Sequence, residues 1–457
     1  MSAPRVVILG GGIAGMLAAA ATSRIAGAIT IIERDRLPAV PAGRRGVPQG
    51  RHLHGLLSTG VSAIESLLPG TTATMRDHGA RQVRLSEEAL IYGPHGWMRP
   101  VATPHFIVGA SRPLVEWAIR HQLTAQHRCS IVQDAEAVGL HRAGGRVSGV
   151  RIRYRGTGQV EEVCADLIID ATGRGSQTPR WLAEFGVGPV ADTVVDCGLA
   201  YASRLVRTAP GARSYACVTV QADARNHVPG RGGFWLQIEN DQTMVTLSGT
   251  RGAHPPLDEP GFTEFALGLR HPLIGHLLAD STPLGPIKGS QTTANRRRHY
   301  DRIPKWPAGF LVIGDAATTF NPIYGQGMSV AALGALNLRR GLHENRLDGA
   351  GCRRLQQTIC RTADLPWTVC VTEDIRYPGA RGRPPSHGQR LTQLCADRLR
   401  AASAADPAAA QAFFDVLSLS APPIRALTPA AAWAVLRGPR QPPVWEPPNA
   451  LYREIGA

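Results

Sequence analysis

Short apolar runs separated by glycine-rich turns mark both ends of the chain. The first run is Arg5–Leu9, an alanine-rich stretch follows from about Ala14 to Ile25, and a second run covers Ile29–Ile32. Such β-branched runs are typical of buried parallel strands, and the order strand, helix, strand predicts a β-α-β unit. Similar runs end at Asp170 and at Asp315. We therefore expect a Rossmann-like α/β domain.

The middle of the chain has a different pattern, with alternating or β-rich runs between residues 191 and 290. This alternation predicts an antiparallel sheet with one face covered, inserted into the first domain as a substrate domain. We expect the short runs Ala89–Tyr92 and Phe106–Val108 to join this sheet. After Gly341 the chain is rich in alanine, which predicts a helical C-terminal region.

These patterns divide the chain into three structural regions. The Rossmann-like domain takes residues 1–80, 109–190 and 291–345, and the strands of 81–108 and the sheet of 191–290 form the substrate domain. Residues 346–457 form the helical region. The predicted fold class is thus α/β, with an inserted antiparallel-sheet domain and a C-terminal helical region.

Composition excludes several classes of protein. The net charge of +15 comes from 50 Lys and Arg against 35 Asp and Glu, but the arginines are scattered, so we interpret them as solvated surface charge. A nucleic-acid-binding role is therefore not expected. The eight cysteines form no C-x-x-C pair, which argues against zinc and favours reduced thiols in the cytoplasm. No apolar run reaches the length of about 18 residues typical of a membrane span.

The turn after the first strand, Gly10–Gly15, contains the motif G-x-G-x-x-G. In this motif Gly10 permits a tight turn, Gly12 lets the backbone approach a pyrophosphate, and Gly15 allows close packing of helix and strand. The phosphates would lie at the helix N-terminus, whose free N–H groups favour anions. Glu33, which follows the second strand, can accept hydrogen bonds from a ribose hydroxyl. These features together predict a dinucleotide site.

A second glycine-rich segment identifies the dinucleotide as FAD. A strand ends at Asp315, and Pro322 then begins a P-x-x-G-x-G loop that leads into a helix from about Ser329. The Asp315 carboxylate can bond a ribityl hydroxyl, and the helix N-terminus can stabilise negative charge on a reduced isoalloxazine. Arg112, at the start of another helix, could reach the cofactor phosphates. There is no second G-x-G-x-x-G, so we expect NAD(P)H to bind transiently or a partner reductase to supply electrons.

Four motifs resemble those of flavin-dependent monooxygenases of the p-hydroxybenzoate hydroxylase fold: GGGIAG, ERD, ATGRGS and GDAATTFNPIYGQGMS. Further segments resemble the flavin epoxidases of polyether ionophore biosynthesis, in particular the lasalocid and monensin enzymes. These segments are RGVPQGRHLHGLL from Arg45, SGTRG from Ser248, NRRRHYDR from Asn295 and DIRYPG from Asp374. The resemblance covers nearly the whole chain and is weakest after about residue 400.

The resemblance implies an FAD-dependent monooxygenase that uses O2 and epoxidises alkenes of a lipophilic polyketide or polyene through a C4a-hydroperoxyflavin. Such chemistry needs no protein nucleophile. The protein excludes water, orients the alkene and stabilises charge on the flavin. Electrons would come from NAD(P)H directly or through a separate flavin reductase, and the substrate would be free or bound to a carrier protein.

The predicted site residues form two groups. Near the isoalloxazine we expect Pro322, Tyr324, Gly325, Gly327 and Met328, with no residue assigned a catalytic step. The other cofactor-binding residues are Gly10, Gly12, Ile13, Ala14, Gly15, Glu33, Arg34, Arg45, Gln49, Arg112, Val138 and Asp315. The resemblance alone implies Arg45 and Gln49, and Val138 would contact adenine through its backbone. His52 and His54 have no carboxylate or cysteine cluster beside them, so no metal is expected.

Trp235, Phe320 and Tyr324 are candidates to line an apolar substrate cavity, although core packing is the expected role of Trp235 and Phe320. Aromatic hydroxylation is the nearest rival function, followed by reduction of a prenyl chain and by a non-catalytic flavoprotein. Flavin halogenases use an active-site lysine in the N-terminal part of the chain and a W-x-W-x-I-P segment. The first lysine here is Lys288 and that segment is missing, so halogenation is not expected.

Overall fold

A five-stranded parallel sheet forms the centre of the first domain in the computed structural model, which describes residues 3–85, 87–291, 293–422, 428–439 and 441–448. Ile8 pairs with Ile169 on one side and with Ile31 on the other, and all three side chains are buried. The strands, in the spatial order β21-β12-β1-β2-β8, are β1 (Arg5–Leu9), β2 (Ala28–Ile32), β8 (Ser130–Val132), β12 (Leu167–Asp170) and β21 (Phe310–Val312).

Two helices begin at the carboxyl edge of this sheet. α1 (Ile13–Thr22) follows β1 directly, and α8 (Gly327–Glu344) follows the loop after β21. The small side chains from Ala18 to Ala21 of α1 are buried, which lets α1 and α8 pack closely against each other. Both helix N-termini therefore lie at the edge where open α/β sheets bind their ligands.

The predicted antiparallel sheet has eight strands. Apolar residues on one face, such as Val218, Trp235 and Val245, pack with Phe262 and Leu273 of two covering helices. The alternate residues face the other way and border a cavity, as the period of two along a strand requires. The strands are β5 (Ala89–Gly93), β6 (Gly96–Trp97), β14 (Ala200–Arg207), β15 (Cys217–Val220), β16 (Arg231–Ile238), β17 (Gln242–Gly249), β18 (Thr282–Pro283) and β19 (Lys288–Ser290), and the covering helices are α6 (Glu259–Leu267) and α7 (Leu273–Ala279).

The described residues also form three smaller sheets and further helices. The sheets are β3 (Gly55–Leu57), β7 (Phe106–Gly109) and β4 (Arg81–Arg84); β11 (Val160–Cys164), β10 (Arg146–Tyr154) and β9 (Ala135–Ala143); and β13 (Asp192–Val195), β20 (Asn295–Arg298) and β22 (Thr318–Thr319). The helices are α2 (Ser58–Leu67), α3 (Thr71–Asp77), α4 (Arg112–Gln126), α5 (Thr178–Glu184), α9 (Gly349–Arg361), α10 (Asp364–Asp374), α11 (His387–Ser403), α12 (Pro407–Leu417) and α13 (Pro429–Arg437).

This architecture confirms the predicted fold class, and one predicted strand pairing differs. Ala89–Gly93 joins the large sheet through parallel pairing with β15. Phe106–Gly109 instead pairs with β3 and β4, because Leu56 and Val83 offer it a separate apolar partner surface. The individual domain ranges stay predictions. Among the described helices, none combines the length and the apolar character that crossing a bilayer requires.

Candidate active site

A cavity of about 1310 Å³ lies at the carboxyl edge of the parallel sheet and continues beneath the antiparallel sheet. Cavities that hold drug-sized molecules measure about 300–1,000 Å³. This cavity is larger, so it can accommodate a dinucleotide and part of a second molecule. Its lining includes most of the residues predicted to bind FAD.

The N-terminus of α1 fits the pyrophosphate of FAD. Gly10 has a φ of +99°, and a Cβ on Gly10 would lie 2.7 Å from the carbonyl oxygen of Ala171. Gly12 precedes the helix without a side-chain cap, and a Cβ on Gly12 would meet no atom closer than 3.7 Å. The first N–H groups of the helix therefore have no side-chain partner at a cavity wall, an arrangement that suits phosphate.

Glu33 lies at the predicted ribose position and is already hydrogen-bonded. Its Oε2 accepts from the Gly11 N–H at 2.6 Å, and its Oε1 accepts from the Asp35 N–H at 2.9 Å. Arg44 Nη1 lies 3.0 Å from Glu33 Oε1. The carboxylate is thus fixed in place at the cavity wall, and it keeps lone pairs for a ribose hydroxyl.

A buried charge network extends from Glu33 to α4. Arg44 Nη1 also lies 3.0 Å from Asp35 Oδ2, Arg44 Nε donates to Glu116 Oε2 at 3.1 Å, and Arg112 Nε donates to Glu116 Oε1 at 2.8 Å. Burial alone would raise the pKa of Glu116, but Arg112 and Arg44 together hold that pKa below its usual value. The network therefore positions two guanidinium groups beside the dinucleotide end of the cavity.

The glycine-rich loop Pro322–Met328, called here the flavin-side loop, lines the same cavity. Gly325 has a φ of +68°, and an added Cβ on Gly325 or Gly327 would meet no atom within 4 Å. The helix α8 begins there without a side-chain cap. Asp315 lines the cavity nearby, and burial raises the pKa of its carboxyl while Arg112 and Arg174 oppose that rise. This bare backbone suits a flat ring placed against the helix N-terminus.

Fourteen of the seventeen predicted residues line the cavity, and Gly15, Arg45 and Val138 do not. Gly15 lies beneath the site, where it permits the contact of helix and strand. Arg45 is exposed, and its neighbour Arg44 is the one that turns inward. Val138 does not line the cavity. The residues that do are Gly10, Gly12, Ile13, Ala14, Glu33, Arg34, Gln49, Arg112, Asp315, Pro322, Tyr324, Gly325, Gly327 and Met328, with Ala135, Glu136 and Ala137 near the predicted adenine contact.

Sequence reasoning missed Arg44, Glu116 and Asp374. Arg44 stands beside Arg45, and the sequence alone does not decide which of these two side chains turns inward. Glu116 lies four residues after Arg112 on α4, a spacing that predicts an ion pair on one helix face.

The part of the cavity beneath the antiparallel sheet has a polar side and an apolar side. Tyr201, Thr246 and Ser248 line one part, and Phe234 and Leu236 line another. The indole of Trp235 belongs to the core on the opposite face, and its Nε1 donates to the Tyr215 carbonyl at 2.9 Å. Trp235 therefore has the core role expected for it.

Helix α12 closes the apolar side of the cavity. Phe413 and Leu417 of this helix line the cavity with Ile91 of β5. The side-chain amide of Gln326, in the flavin-side loop, donates to the Leu417 carbonyl at 3.0 Å. The C-terminal helices thus supply one wall of the chamber and contact the loop expected to hold the flavin.

His52 and His54 lie at the cavity wall and are held by hydrogen bonds. His52 Nδ1 lies 2.9 Å from Ser203 Oγ, which in turn lies 2.7 Å from Thr246 Oγ1. Burial lowers the pKa of His52 to about 4 and that of His54 to about 3. Both imidazoles are therefore neutral at pH 7. Within the described ranges, no group of three or more His, Cys, Asp or Glu residues could hold a metal ion.

The lowered pKa of His52 predicts a loss of stability in acid. Between pH 6.5 and about 4 the unfolded chain binds a proton on His52 that the folded protein does not, so the free energy of unfolding falls as the pH falls. His52→Gln removes this titration, and we expect it to reduce the loss between pH 7 and pH 4.5 by about 2 kcal/mol. Urea unfolding at both pH values measures this difference. An equal loss in the variant and the unaltered protein would contradict it.

Comparison with known sequences shows a close relative over most of the chain. Protein Rv3254 of Mycobacterium tuberculosis is 31% identical over 426 residues, which cover 90% of this chain and 89% of that protein. Digeranylgeranylglycerophospholipid reductase 2 of Methanopyrus kandleri and kynurenine 3-monooxygenase of Salinispora arenicola are each 26% identical, covering 71% and 72% of this chain and 72% and 70% of those proteins. The sequence model of the tryptophan halogenase family matches residues 5–77, a stretch that contains β1, α1 and β2.

Solved structures share the fold at low sequence identity. A flavoprotein/dehydrogenase from Cytophaga hutchinsonii has a TM-score of 0.64 at 14% identity, covering 91% of this chain and 92% of that one. PqsL of Pseudomonas aeruginosa, described as a probable FAD-dependent monooxygenase, has a TM-score of 0.59 at 17% identity, covering 82% and 97%. The chain therefore belongs to the family of protein Rv3254 and has the FAD-binding fold of flavin-dependent monooxygenases and halogenases.

Proposed function

We propose that this protein is an FAD-dependent monooxygenase that epoxidises a carbon–carbon double bond of a lipophilic polyketide or polyene. The observation that carries the proposal is the continuity of the cavity, which joins the bare flavin-side loop to the apolar wall of Phe234, Leu236 and Phe413. An alkene bound against that wall would lie next to the ring of the cofactor. Epoxidation needs this proximity and a dry site more than it needs a nucleophile.

When bound, FAD supplies the reaction with O2, and the residues of this chain do the rest. Arg112 and the N-terminus of α1 would hold the phosphates, and the N-terminus of α8 would stabilise negative charge on the ring. The apolar residues around Leu236 would displace water from the alkene. The electrons would come from NAD(P)H, directly or through a separate flavin reductase, and the substrate would be free or carried by a protein.

An isotope experiment tests this proposal. The FAD-loaded protein is supplied with NADPH or with a flavin reductase, and with ¹⁸O2, a lipophilic polyene and, in parallel, a phenol. We expect one ¹⁸O atom in an epoxide of the polyene, identified by mass spectrometry and by opening with a thiol. Hydroxylation of the phenol alone would favour the second candidate, to which the similarity with kynurenine 3-monooxygenase points. Oxygen-independent saturation of the polyene would instead indicate a reductase.

A cavity-filling variant tests where the alkene binds. Ile91 lies on the apolar side of the chamber and away from the predicted phosphate site, so Ile91→Trp narrows only the space for a substrate. We expect this variant to retain its FAD and to form less than a tenth of the epoxide. Equal product formation by the variant and the unaltered protein would show that the alkene does not bind at this wall.

A further inference from the structure

Two sequence motifs that the proposed chemistry does not use meet the segment of the flavin-side loop at one point. The two motifs begin at Asn295 on β20 and at Asp374 at the end of α10, and they meet at Asn321, the residue before the loop. Asn295 and Asn321 both bond the carboxylate of Asp374, although 79 and 53 residues separate them from it. Because side chains from distant segments bind the same carboxylate, these residues form one structural unit.

The Asp374 carboxylate accepts three hydrogen bonds. Its Oδ2 accepts from Asn295 Nδ2 at 2.6 Å and from Asn321 Nδ2 at 2.8 Å, and its Oδ1 accepts from the Tyr324 hydroxyl at 2.7 Å. Two of these donors belong to the segment that contains the flavin-side loop. Asp374 therefore connects the C-terminal helical region to that loop.

Asp374 is buried without a cation. Its exposed fraction is 2%, and no Lys, Arg or His in the described part of the chain forms an ion pair with it. A buried carboxylate is costly unless its oxygens are hydrogen-bonded, so the three neutral donors are required to keep it there. Burial raises the pKa of Asp374 to about 6, while Tyr324, Asn321 and Asn295 partly oppose that rise.

The carboxylate also dictates how Asn321 is oriented. Since an ionised Asp374 can only accept, Asn321 must present its amide N–H to it and turn its carbonyl oxygen away. That oxygen accepts from the Ile323 N–H at 3.2 Å, which caps the short turn Pro322–Tyr324. The backbone N–H of Asn321 donates to Asn295 Oδ1 at 2.7 Å. The turn that begins the flavin-side loop is thus set by a chain of bonds that starts at Asp374.

We propose that Asp374 is a positioning residue that holds the flavin-side loop, Pro322–Met328, in the conformation that binds FAD. It acts through Asn321 and Tyr324 and need not touch the cofactor. The inference rests on the proposed role of this loop in FAD binding. It assigns a task to the segment DIRYPG, which contributes no residue to the predicted dinucleotide contacts.

The test compares three variants with the unaltered protein by their dissociation constants for FAD, measured from flavin fluorescence. Asp374→Asn replaces one acceptor oxygen with an amide NH2 donor. The new N–H groups would then face the side-chain N–H groups of Asn295 and Asn321 or the O–H of Tyr324, and two donors cannot form a hydrogen bond. We expect FAD affinity to fall about 10- to 100-fold, the effect of leaving one or two buried polar groups unpaired. Tyr324→Phe removes one donor and should weaken FAD about 3- to 10-fold.

Asp364→Asn is the matched control. Asp364 also lies on α10 and also bonds β20, through Arg297 at 2.7 Å, but among the described residues no hydrogen bond or ion pair joins its side chain to the flavin-side loop. We expect its FAD affinity to equal that of the unaltered protein. Thermal unfolding of the FAD-free proteins then separates positioning of the loop from general damage to the fold.

The pH dependence of FAD binding supplies a second readout. As the pH falls through about 6, Asp374 gains a proton and loses an acceptor site, so FAD should bind more weakly, and Asp374→Asn should lack this dependence. The groups around Asp374 are Tyr324, Tyr377, Cys197, Cys370 and Glu373. Burial raises the pKa of both phenols and both thiols, which keeps them neutral in this range, and Glu373 is paired with Arg400 at 3.0 Å.

The outcomes separate the two proposals. Unchanged FAD affinity in Asp374→Asn, or an equal loss of affinity in Asp364→Asn, would overturn the positioning role and leave the proposed oxygenation standing. Weaker binding in Asp374→Asn and Tyr324→Phe, with the fold intact, would support it whatever substrate the enzyme proves to use. Failure of the unaltered protein to bind FAD at any pH would overturn both proposals.

Discussion

Replacing Gly15 with valine is expected to abolish FAD binding and to lower the free energy of unfolding by about 3 kcal/mol or more. An added Cβ at this position would lie 1.8 Å from the Gly10 carbonyl oxygen and 3.3 Å from Ile8 Cγ2. Neither neighbour can move freely, because Gly10 is part of the turn and Ile8 is in the central strand. The helix α1 must therefore shift away from β1, and its N-terminus leaves the phosphate position.

FAD content after gel filtration and the thermal unfolding temperature measure this effect. Gly43→Ala is the control, because a Cβ on Gly43 would meet no atom within 4 Å. We expect the control to match the unaltered protein in both measurements. A Gly15→Val protein that retains stoichiometric FAD would show that α1 is not fixed against β1 as the structure describes.

Replacing Arg44 with methionine is expected to lower the free energy of unfolding by about 3–5 kcal/mol, the usual cost of removing one partner from a buried ion pair. Arg44 has a side-chain exposure of 8% and contacts Glu33, Asp35 and Glu116. Without it, these carboxylates lie near one another and only Glu116 keeps an arginine, Arg112. Methionine fills a similar volume, so the decrease in the free energy of unfolding measures the removal of the charge and not the creation of a cavity.

Arg45→Met is the matched control for this variant, since it removes the adjacent but exposed guanidinium. We expect its stability and its FAD affinity to be unchanged. Urea unfolding and flavin fluorescence measure the two quantities. If Arg45→Met instead weakened FAD binding more than Arg44→Met, the assignment of the inward-facing arginine would be reversed.

The parallel sheet and its glycine loops could be predicted from sequence because their signals are local. A β-branched run, a glycine turn and an alanine-rich helix lie within about twenty residues, and each step has its own steric cause. The left-handed φ of Gly10 and Gly325 is likewise a property of single residues. The glycine-rich loops that line the cavity could therefore be predicted from the sequence alone.

Contacts between distant segments could not be predicted in the same way. The short apolar run Phe106–Val108 indicates a strand but says nothing about its partners, which are β3 and β4. The adjacent residues Arg44 and Arg45 are equivalent in composition, and only the local path of the chain turns one of them inward. Asp374 bonds Asn321 and Asn295, which lie 53 and 79 positions away in the sequence, so no local sequence pattern predicts this cluster.

The wall that α12 contributes to the chamber has a consequence for engineering. Phe413 and Leu417 belong to the part of the chain where resemblance to the epoxidases is weakest, whereas the loops that suit FAD lie before residue 330. This part of the proposed substrate wall is thus encoded apart from the loops that suit FAD, whereas Phe234 and Leu236 of the same wall belong to the large sheet. Chimeras that exchange α12 between relatives, with Asp374 left in place and the contact from Gln326 to the carbonyl of Leu417 retained, would test whether this wall sets substrate choice.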